Sequence, residues 1–286
     1  MSVSTYKTCR GKRESSFRKI TINLRLLRCA PPIKWAFVNI GTRVSDLHAA
    51  GKFDTRNAAL EEAGFRLLSI DNSDVDVWQI HLDVNAAATH RNAGLLAPDE
   101  IRRAARLRSL TDRRRFIVAR GMLRLLLGVY ADIPSEAIRF AYGSHGKPRL
   151  KPSSLLHFNV AHSGERAVYA LSRTRRVGID IEHLNREFAF ERVARRFFAR
   201  PEFENLLRMP DARRRRAFFA LWTCKEAVIK ATGKGLALGL DQFEIGLKPS
   251  PRITDAQTQS VAGIDLYAPH AGPGYVIAVA AMQPTA

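Results

Sequence analysis

The sequence predicts an α/β fold built from two similar halves of roughly 100 residues each, a usual size for a compact unit. Three observations carry this. A strand-like run from Val77 to Leu82 has a counterpart in Val177-Gly178-Ile179-Asp180-Ile181-Glu182. A long helical stretch follows each run. Each half then closes on an apolar strand, Glu165 to Leu171 in the first and Gly274-Tyr275-Val276-Ile277-Ala278-Val279-Ala280 in the second. The repeat is one of elements rather than of identities. The halves are expected at residues 75–177 and 178–286, meeting along a shared interface, a favoured place for a cleft.

Residues 1–74 read differently. Basic clusters (Arg10, Lys12, Arg13, then Arg18 and Lys19) alternate with short apolar patches and a Pro31-Pro32 break, with no sustained period of two or of 3.6. A basic, weakly ordered N-terminal extension is expected. Regular patterning starts near Val75, where Asp76, Trp78, Ile80 and Leu82 alternate with Val75, Val77, Gln79 and His81 as in a strand. Pro98, Asp99 and Glu100 are good first-turn residues, and Ile101 to Tyr130 reads as helix with an interruption near Ser109 to Asp112. Phe116, Ala119, Leu123, Leu126 and Leu127 give that helix an apolar face. Arg113, Arg114, Arg115, Arg120 and Arg124 give it a basic one. Gly143 to Pro148 is a turn, with short strands at Phe158–Val160 and Ala167–Leu171. In the second half, helix is expected at 188–207 and again at 213–232.

Among 286 residues, 46 Lys+Arg against 27 Asp+Glu leave a net charge of +19. Such a surface attracts polyanions, whether nucleic acid, phosphorylated cofactors, anionic lipid or acidic proteins, and charge alone does not choose among them. The three cysteines form neither a C-x-x-C pair nor an even-numbered framework, which suits a reduced, cytoplasmic setting. No apolar run approaches the ~18 residues of a membrane span, so no membrane partner is expected.

The chemistry begins at Asp180 and Glu182. Residues two apart on a strand share a face, so these carboxylates lie side by side, a costly arrangement unless a cation or hydrogen bonds compensate. Both offer oxygen, with no His or Cys pattern beside them, so the matching ion is hard: Mg²⁺, with Mn²⁺ as the substitute. Two carboxylates leave most of a Mg²⁺ shell to water and phosphate oxygens, which points to a phosphate-bearing substrate. The bland alternative is that one carboxylate faces solvent at a strand end. Further on stands Trp222-Thr223-Cys224-Lys225-Glu226-Ala227-Val228-Ile229-Lys230, then a Gly233-Lys234-Gly235 stop. Glu226 and Lys230 share a helix face. An exposed i,i+4 pair worth about 0.3–0.5 kcal/mol would explain them too, but the helix around them is largely apolar. Gly146-Lys147-Pro148 offers a lysine in a turn, and Phe158-Asn159-Val160-Ala161-His162-Ser163-Gly164 offers an imidazole, a hydroxyl and backbone N–H groups to an anion. A Ser-His hydrolase is disfavoured because no G-x-S-x-G elbow is present.

Taken in order, Gly146-Lys147-Pro148, Phe158-Asn159-x-x-His162-Ser163, Gly178-Ile179-Asp180-Ile181-Glu182 and Trp222-x-x-Lys225-Glu226-Ala227-x-x-Lys230 resemble the signature of the Sfp-type 4'-phosphopantetheinyl transferases. The resemblance covers roughly residues 76–283. It implies two α/β halves related by a pseudo-twofold, with coenzyme A in the cleft between them. It implies that Asp180, Glu182 and Glu226 hold Mg²⁺ with the cofactor's pyrophosphate. Glu226 would take the proton from a serine of an apo acyl or peptidyl carrier protein, and Lys230 would neutralise the phosphate in flight. Lys225 would contact phosphate nearby, while Lys147 with Pro148 and His162 with Ser163 would grip the adenosine 3'-phosphate region. Arg115 is a looser match to a cofactor-binding arginine. The products would be the modified carrier and adenosine 3',5'-bisphosphate. The family often has serine where Ala161 stands, so one hydroxyl contact to the cofactor is missing or replaced, and residues 1–74 match nothing in it.

The resemblance implies an acidic carrier. Arg192, Arg195, Arg196 and Arg200 beside Phe197 and Phe198 suit docking of an acidic helix, although each is equally readable as solvated arginine or core phenylalanine. An internally duplicated chain can be monomeric, and a monomer is expected. Two other readings compete: a metal-dependent phosphodiesterase or nuclease, and a non-enzymatic nucleic-acid-binding module suggested by charge alone. Nucleic acid is the less favoured partner.

Overall fold

The computed structural model describes residues 52–70, 74–143, 146–152, 154–185 and 187–283. Residues 1–51, most of the expected extension, lie outside these. Residues 52–70 depart from that expectation, for they belong to the first half. Helix α1 (Lys52–Glu62) leads into strand β1 (Arg66–Leu68), which pairs antiparallel with β2 (Asp76–His81). Leu60, Phe65 and Leu68 are buried. So few anchors leave no period to read in the sequence. Docking against β2, and Arg56 lying 4.4 Å from the Tyr130 ring centre, fix the segment.

After β2 come α2 (Ala86–Gly94), α3 (Pro98–Ala105) and α4 (Leu110–Ala131). The hairpin β3 (Phe140–Tyr142) and β4 (Pro148–Leu150) follows, then β5 (His157–Ser163) and β6 (Arg166–Ser172). The expected interruption is real: the Ser109 side chain accepts from Asp112 N at 3.2 Å and starts α4 as an N-cap. The second half runs β7 (Val177–His183), α5 (Phe190–Phe197), α6 (Arg200–Arg208) and α7 (Asp211–Thr232). It ends with the hairpin β8 (Phe243–Gly246) and β9 (Arg252–Ala256), then β10 (Ile264–Tyr267) and β11 (Tyr275–Met282). The single helix expected over 188–207 is two, because Pro201 falls where it can begin a helix but not continue one.

The halves share one plan. The first sheet has the order β1-β2-β6-β5 and the second β10-β11-β7, all antiparallel. In both, an early strand pairs with the closing strand (β2 with β6, β7 with β11), and the closing strand pairs with its predecessor. Each half also carries one 22-residue helix, α4 or α7.

Three layers of core follow. Trp78, Ile80, Phe158 and Tyr169 pack with Val118, Leu123 and Leu126 of α4. Phe218, Phe219, Trp222 and Val228 of α7 pack with Ala278 and Ala280. Between the sheets lie Val77, Val168 and Ala170 with Val177, Ile179, Ile181, Ile277 and Val279. Both faces of β2 and β7 are therefore buried. Edges β5 and β7 are stitched through side chains: Ile179 N donates to Asn159 Oδ1 at 2.8 Å and His183 N to Ser163 Oγ at 3.1 Å. Arg124, expected on the solvated basic face of α4, is 1 % exposed; it turns inward to Glu100, 2.6 Å from its Nε. Among the described residues, no helix is long and apolar enough to cross a membrane.

Candidate active site

The site starts from a close approach. A Cβ on Gly178 would lie 2.0 Å from Ala227 O and 2.3 Å from Ala231 N, so α7 rests directly on β7 at that point. Asp180 and Glu182, two and four residues on, share the face of Gly178. The helix that covers this face brings Glu226 and Lys230, one turn apart, beside them.

Lys230 Nζ donates to Asp180 Oδ1 at 2.6 Å and to Ile179 O at 3.1 Å. Asp180 Oδ2 is buried without a hydrogen-bond partner. Glu182 Oε2 accepts from Ser163 Oγ at 3.0 Å, while the same hydroxyl oxygen accepts from His183 N. Ser163 thus orients an acid of the second half from a strand of the first. Glu226 is half-buried.

One ammonium faces three carboxylates, and their proton affinities show the strain. Burial pushes Asp180 up against the opposing pull of Lys230. Glu182 is pushed up to about 7 by burial, then by the Asp180 charge, with Ser163 and Lys230 opposing. Glu226 is also pushed up to about 7, by burial and then by the Asp180 charge. His162 opens to solvent at its edge, yet desolvation by the surrounding protein and then the Lys230 charge hold its imidazole below the usual range.

A hard divalent cation fits this donor set: all oxygen, an unpartnered buried Asp180 oxygen, and an excess of negative charge. Among the described residues no three His, Cys, Asp or Glu side chains are already arranged to hold a metal, and Asp180 spends one oxygen on Lys230. Such a site suits an ion that takes much of its shell from water and substrate oxygens, as Mg²⁺ does.

At the start of β7 and the end of α7 lies a cavity of about 440 Å³ lined by Lys147, Pro148, Arg149, His157, Arg176 and Gly233 among others. Among the described residues its lining contains no carboxylate, so it favours an anion. Lys147 Nζ donates to Val177 O at 2.8 Å and to Lys230 O at 2.6 Å, tying the first half to the end of α7. Burial, then the Arg176 and Lys230 charges, push its amine down to about 7.

Two expected residues stand apart. Lys225 is 0 % exposed, and its ammonium donates to Glu202 Oε2 at 2.8 Å, Leu240 O at 2.7 Å and Phe243 O at 2.5 Å. No N–H remains for a phosphate, which corrects its assignment as a phosphate contact. Arg115 makes a two-pronged pair with Asp83, 2.7 Å from Nε and 2.6 Å from an Nη, rather than entering the cluster. Ala161 is buried in the layer between the sheets. Sequence reading missed Arg176 and His157 of the basic cavity, for which only a basic residue before a strand and a lone histidine were on view. It also missed Glu202, signalled only by its place three residues into a helix.

The first half cannot duplicate the site. On β2 the matching face carries Trp78 and Ile80, and α4 has Leu125 and Val129 where α7 has Glu226 and Lys230.

An acid cluster with Lys230, linked through Lys147 to a basic cavity in a duplicated α/β fold, has the chemistry that suits phosphate groups. Two family models match consecutive parts of the chain: 4'-phosphopantetheinyl transferase, N-terminal, over residues 85–174, and the 4'-phosphopantetheinyl transferase superfamily over residues 176–280. The chain is 41 % identical over 187 residues to the 4'-phosphopantetheinyl transferase HetI of Nostoc sp. (strain PCC 7120), covering 64 % of this chain and 78 % of that one. It is 28 % identical over 210 residues to the 4'-phosphopantetheinyl transferase Sfp of Bacillus subtilis, covering 73 % and 92 %. It is 30 % identical over 167 residues to the L-aminoadipate-semialdehyde dehydrogenase-phosphopantetheinyl transferase of Mus musculus, covering 54 % and 53 %. The chain belongs to the 4'-phosphopantetheinyl transferase superfamily.

Proposed function

We propose that the protein transfers the 4'-phosphopantetheine moiety of coenzyme A to a serine of an apo acyl or peptidyl carrier protein, with Mg²⁺, releasing adenosine 3',5'-bisphosphate. The observation that carries this reading is the convergence of Asp180, Glu182, Glu226 and Lys230 where α7 lies on β7.

Asp180, Glu182 and Glu226 would hold Mg²⁺ (or Mn²⁺), whose charge when bound offsets that of the diphosphate. The remaining work falls to side chains. Phosphoryl transfer is largely positioning and charge stabilisation. Glu226, with a proton affinity near neutrality, accepts the serine proton as the oxygen attacks the β-phosphate. Lys230 sits beside Asp180 to stabilise negative charge on the phosphate oxygens. The basic cavity is the place for the adenosine bisphosphate end, where Lys147 and Pro148 line it, while His162 and Ser163 stand at the far end of β5, level with Glu182, and would reach the cofactor from that side.

Exposed Arg192, Arg195, Arg196 and Arg200 on α5 and at the start of α6 favour an acidic carrier and a fast encounter. A monomer suits a chain whose site is complete across its own two halves, and Cys224, buried and unpaired, suits a cytoplasmic setting.

The deciding experiment incubates the protein with coenzyme A, Mg²⁺ and a panel of apo-carriers, read by intact mass. Addition of one phosphopantetheine to a carrier supports the reading. Free phosphopantetheine with unlabelled carrier would indicate hydrolysis instead.

A further inference from the structure

The chain builds one buried ion pair twice, once in each half. In the second half, Glu202 Oε2 accepts from Ala199 N at 2.9 Å and from Lys225 Nζ at 2.8 Å, and Oε1 accepts from Ile245 N at 2.7 Å. In the first, Glu100 Oε2 accepts from Ala97 N at 2.8 Å and from Arg124 Nε at 2.6 Å, and Oε1 from Arg120 Nε at 2.5 Å. Each acid is the third residue of a short helix with a proline in its first turn. Each cation is the fifteenth residue of its 22-residue helix. Each cation also grips two carbonyls leading into the following hairpin: Ser135 and Ile138 for Arg124, Leu240 and Phe243 for Lys225.

Buried ion pairs are poor sources of stability, because desolvating both charges offsets their attraction. What this one supplies is geometry. It ties the short helix, the long helix and the hairpin to one point, so the long helix cannot turn about its axis without leaving a charge unpaired. The two halves differ in what comes next. After Arg124 stands Leu125, and after Lys225 stands Glu226. Successive helical residues are about 100° apart. With Lys225 pinned toward α6 and β8, Glu226 is turned toward Asp180 and Glu182.

We propose that Glu202 and Lys225 are positioning residues for Glu226: their ion pair sets the rotation of α7 and so the direction of the Glu226 carboxylate. The inference rests on the function proposed above for Glu226. It assigns Lys225 no contact with phosphate.

The test measures carrier-labelling kinetics, normalised to folded protein, for the full chain and four variants: Lys225→Arg, Lys225→Met, Glu202→Gln and the double variant Glu202→Gln/Lys225→Met. Lys225→Arg, which copies the first half's own solution, keeps kcat within about threefold. Either single neutral variant loses about 10- to 100-fold in kcat with little change in KM for coenzyme A, as expected for a misplaced group. The double variant loses less than Lys225→Met alone, because neither buried charge is stranded. Three results overturn the proposal: a raised KM for coenzyme A in Lys225→Met with Glu202→Gln unaffected, a double variant no better than Lys225→Met alone, or unchanged kcat per folded molecule throughout. If the single variants do not fold, Lys225→Arg and the double variant decide between the same outcomes. Wild-type protein that labels no apo-carrier is a different failure, that of the functional reading itself.

Discussion

Lys230 Nζ stands 2.6 Å from Asp180 Oδ1, and this contact joins the sheet and the helix that make the site. The lysine comes from the last turns of α7 and the aspartate from mid-β7, 50 residues apart. Its charge also pulls down the proton affinity of Glu182 and Glu226, against the burial that raises both.

Replacing either partner removes carrier labelling by different routes. Lys230→Met should lower kcat by about 100-fold or more, the usual cost of losing a charge aimed at the transition state. Asp180→Ala should abolish labelling while the circular dichroism spectrum stays native. Labelling that survives Asp180→Ala would remove the acid cluster from the chemistry.

The raised carboxylates predict a pH effect on stability. Glu182 and Glu226 bind a proton more tightly folded, at about 7, than unfolded, near the ordinary 4.5. Between those values the folded state holds more protons, so their contribution to stability falls as pH rises from about 4.5 to 7. With chelator present, Glu226→Gln should therefore gain stability relative to wild type as pH rises through that window. Mg²⁺ should raise the wild-type Tm more at pH 8 than at pH 5. Parallel melting curves for the two proteins across the range would contradict the charge crowding inferred at the site.

Gly178 is a steric prediction. Gly178→Ala places a methyl group against the Ala227 and Ala231 backbone, which cannot move without lifting α7 off β7. Overpacking of this kind costs about 1–3 kcal/mol and sometimes more. Urea unfolding should show that loss, and labelling should fall further than stability alone explains, because Glu226 and Lys230 ride on the displaced helix.

Lys147 predicts a cofactor effect. Its ammonium contacts two backbone carbonyls at the wall of the basic cavity. Lys147→Met should raise KM for coenzyme A about tenfold with kcat changed far less, the signature of lost ground-state binding. Equal loss in kcat at saturating coenzyme A would place Lys147 with the reacting groups instead.

Much of this site was legible in one dimension. The two-residue spacing of Asp180 and Glu182 on a strand, and the four-residue spacing of Glu226 and Lys230 on a helix, each imply a shared face. Gly178 was visible as part of a motif, but its purpose was not, since close approach of a helix leaves no local signature. Residues 52–70 escaped because α1 and β1 are held by a few distant contacts rather than by a period of their own. Arg124 and Lys225 read as solvent-facing or ligand-facing cations because their partners, Glu100 and Glu202, lie 24 and 23 residues away.

The sequence by itself determined the alternation of strands and helices, the duplication, and the residue types able to hold a cation and a phosphate, because these depend on spacing along a few turns of chain. Only the tertiary structure decided which charges face one another: that Ser163 of one half steadies Glu182 of the other, that Lys147 reaches across to the end of α7, and that Lys225 is spent inside the protein. Charges interact through space with whatever burial leaves within a few ångströms, and the chain order of residues does not encode that distance.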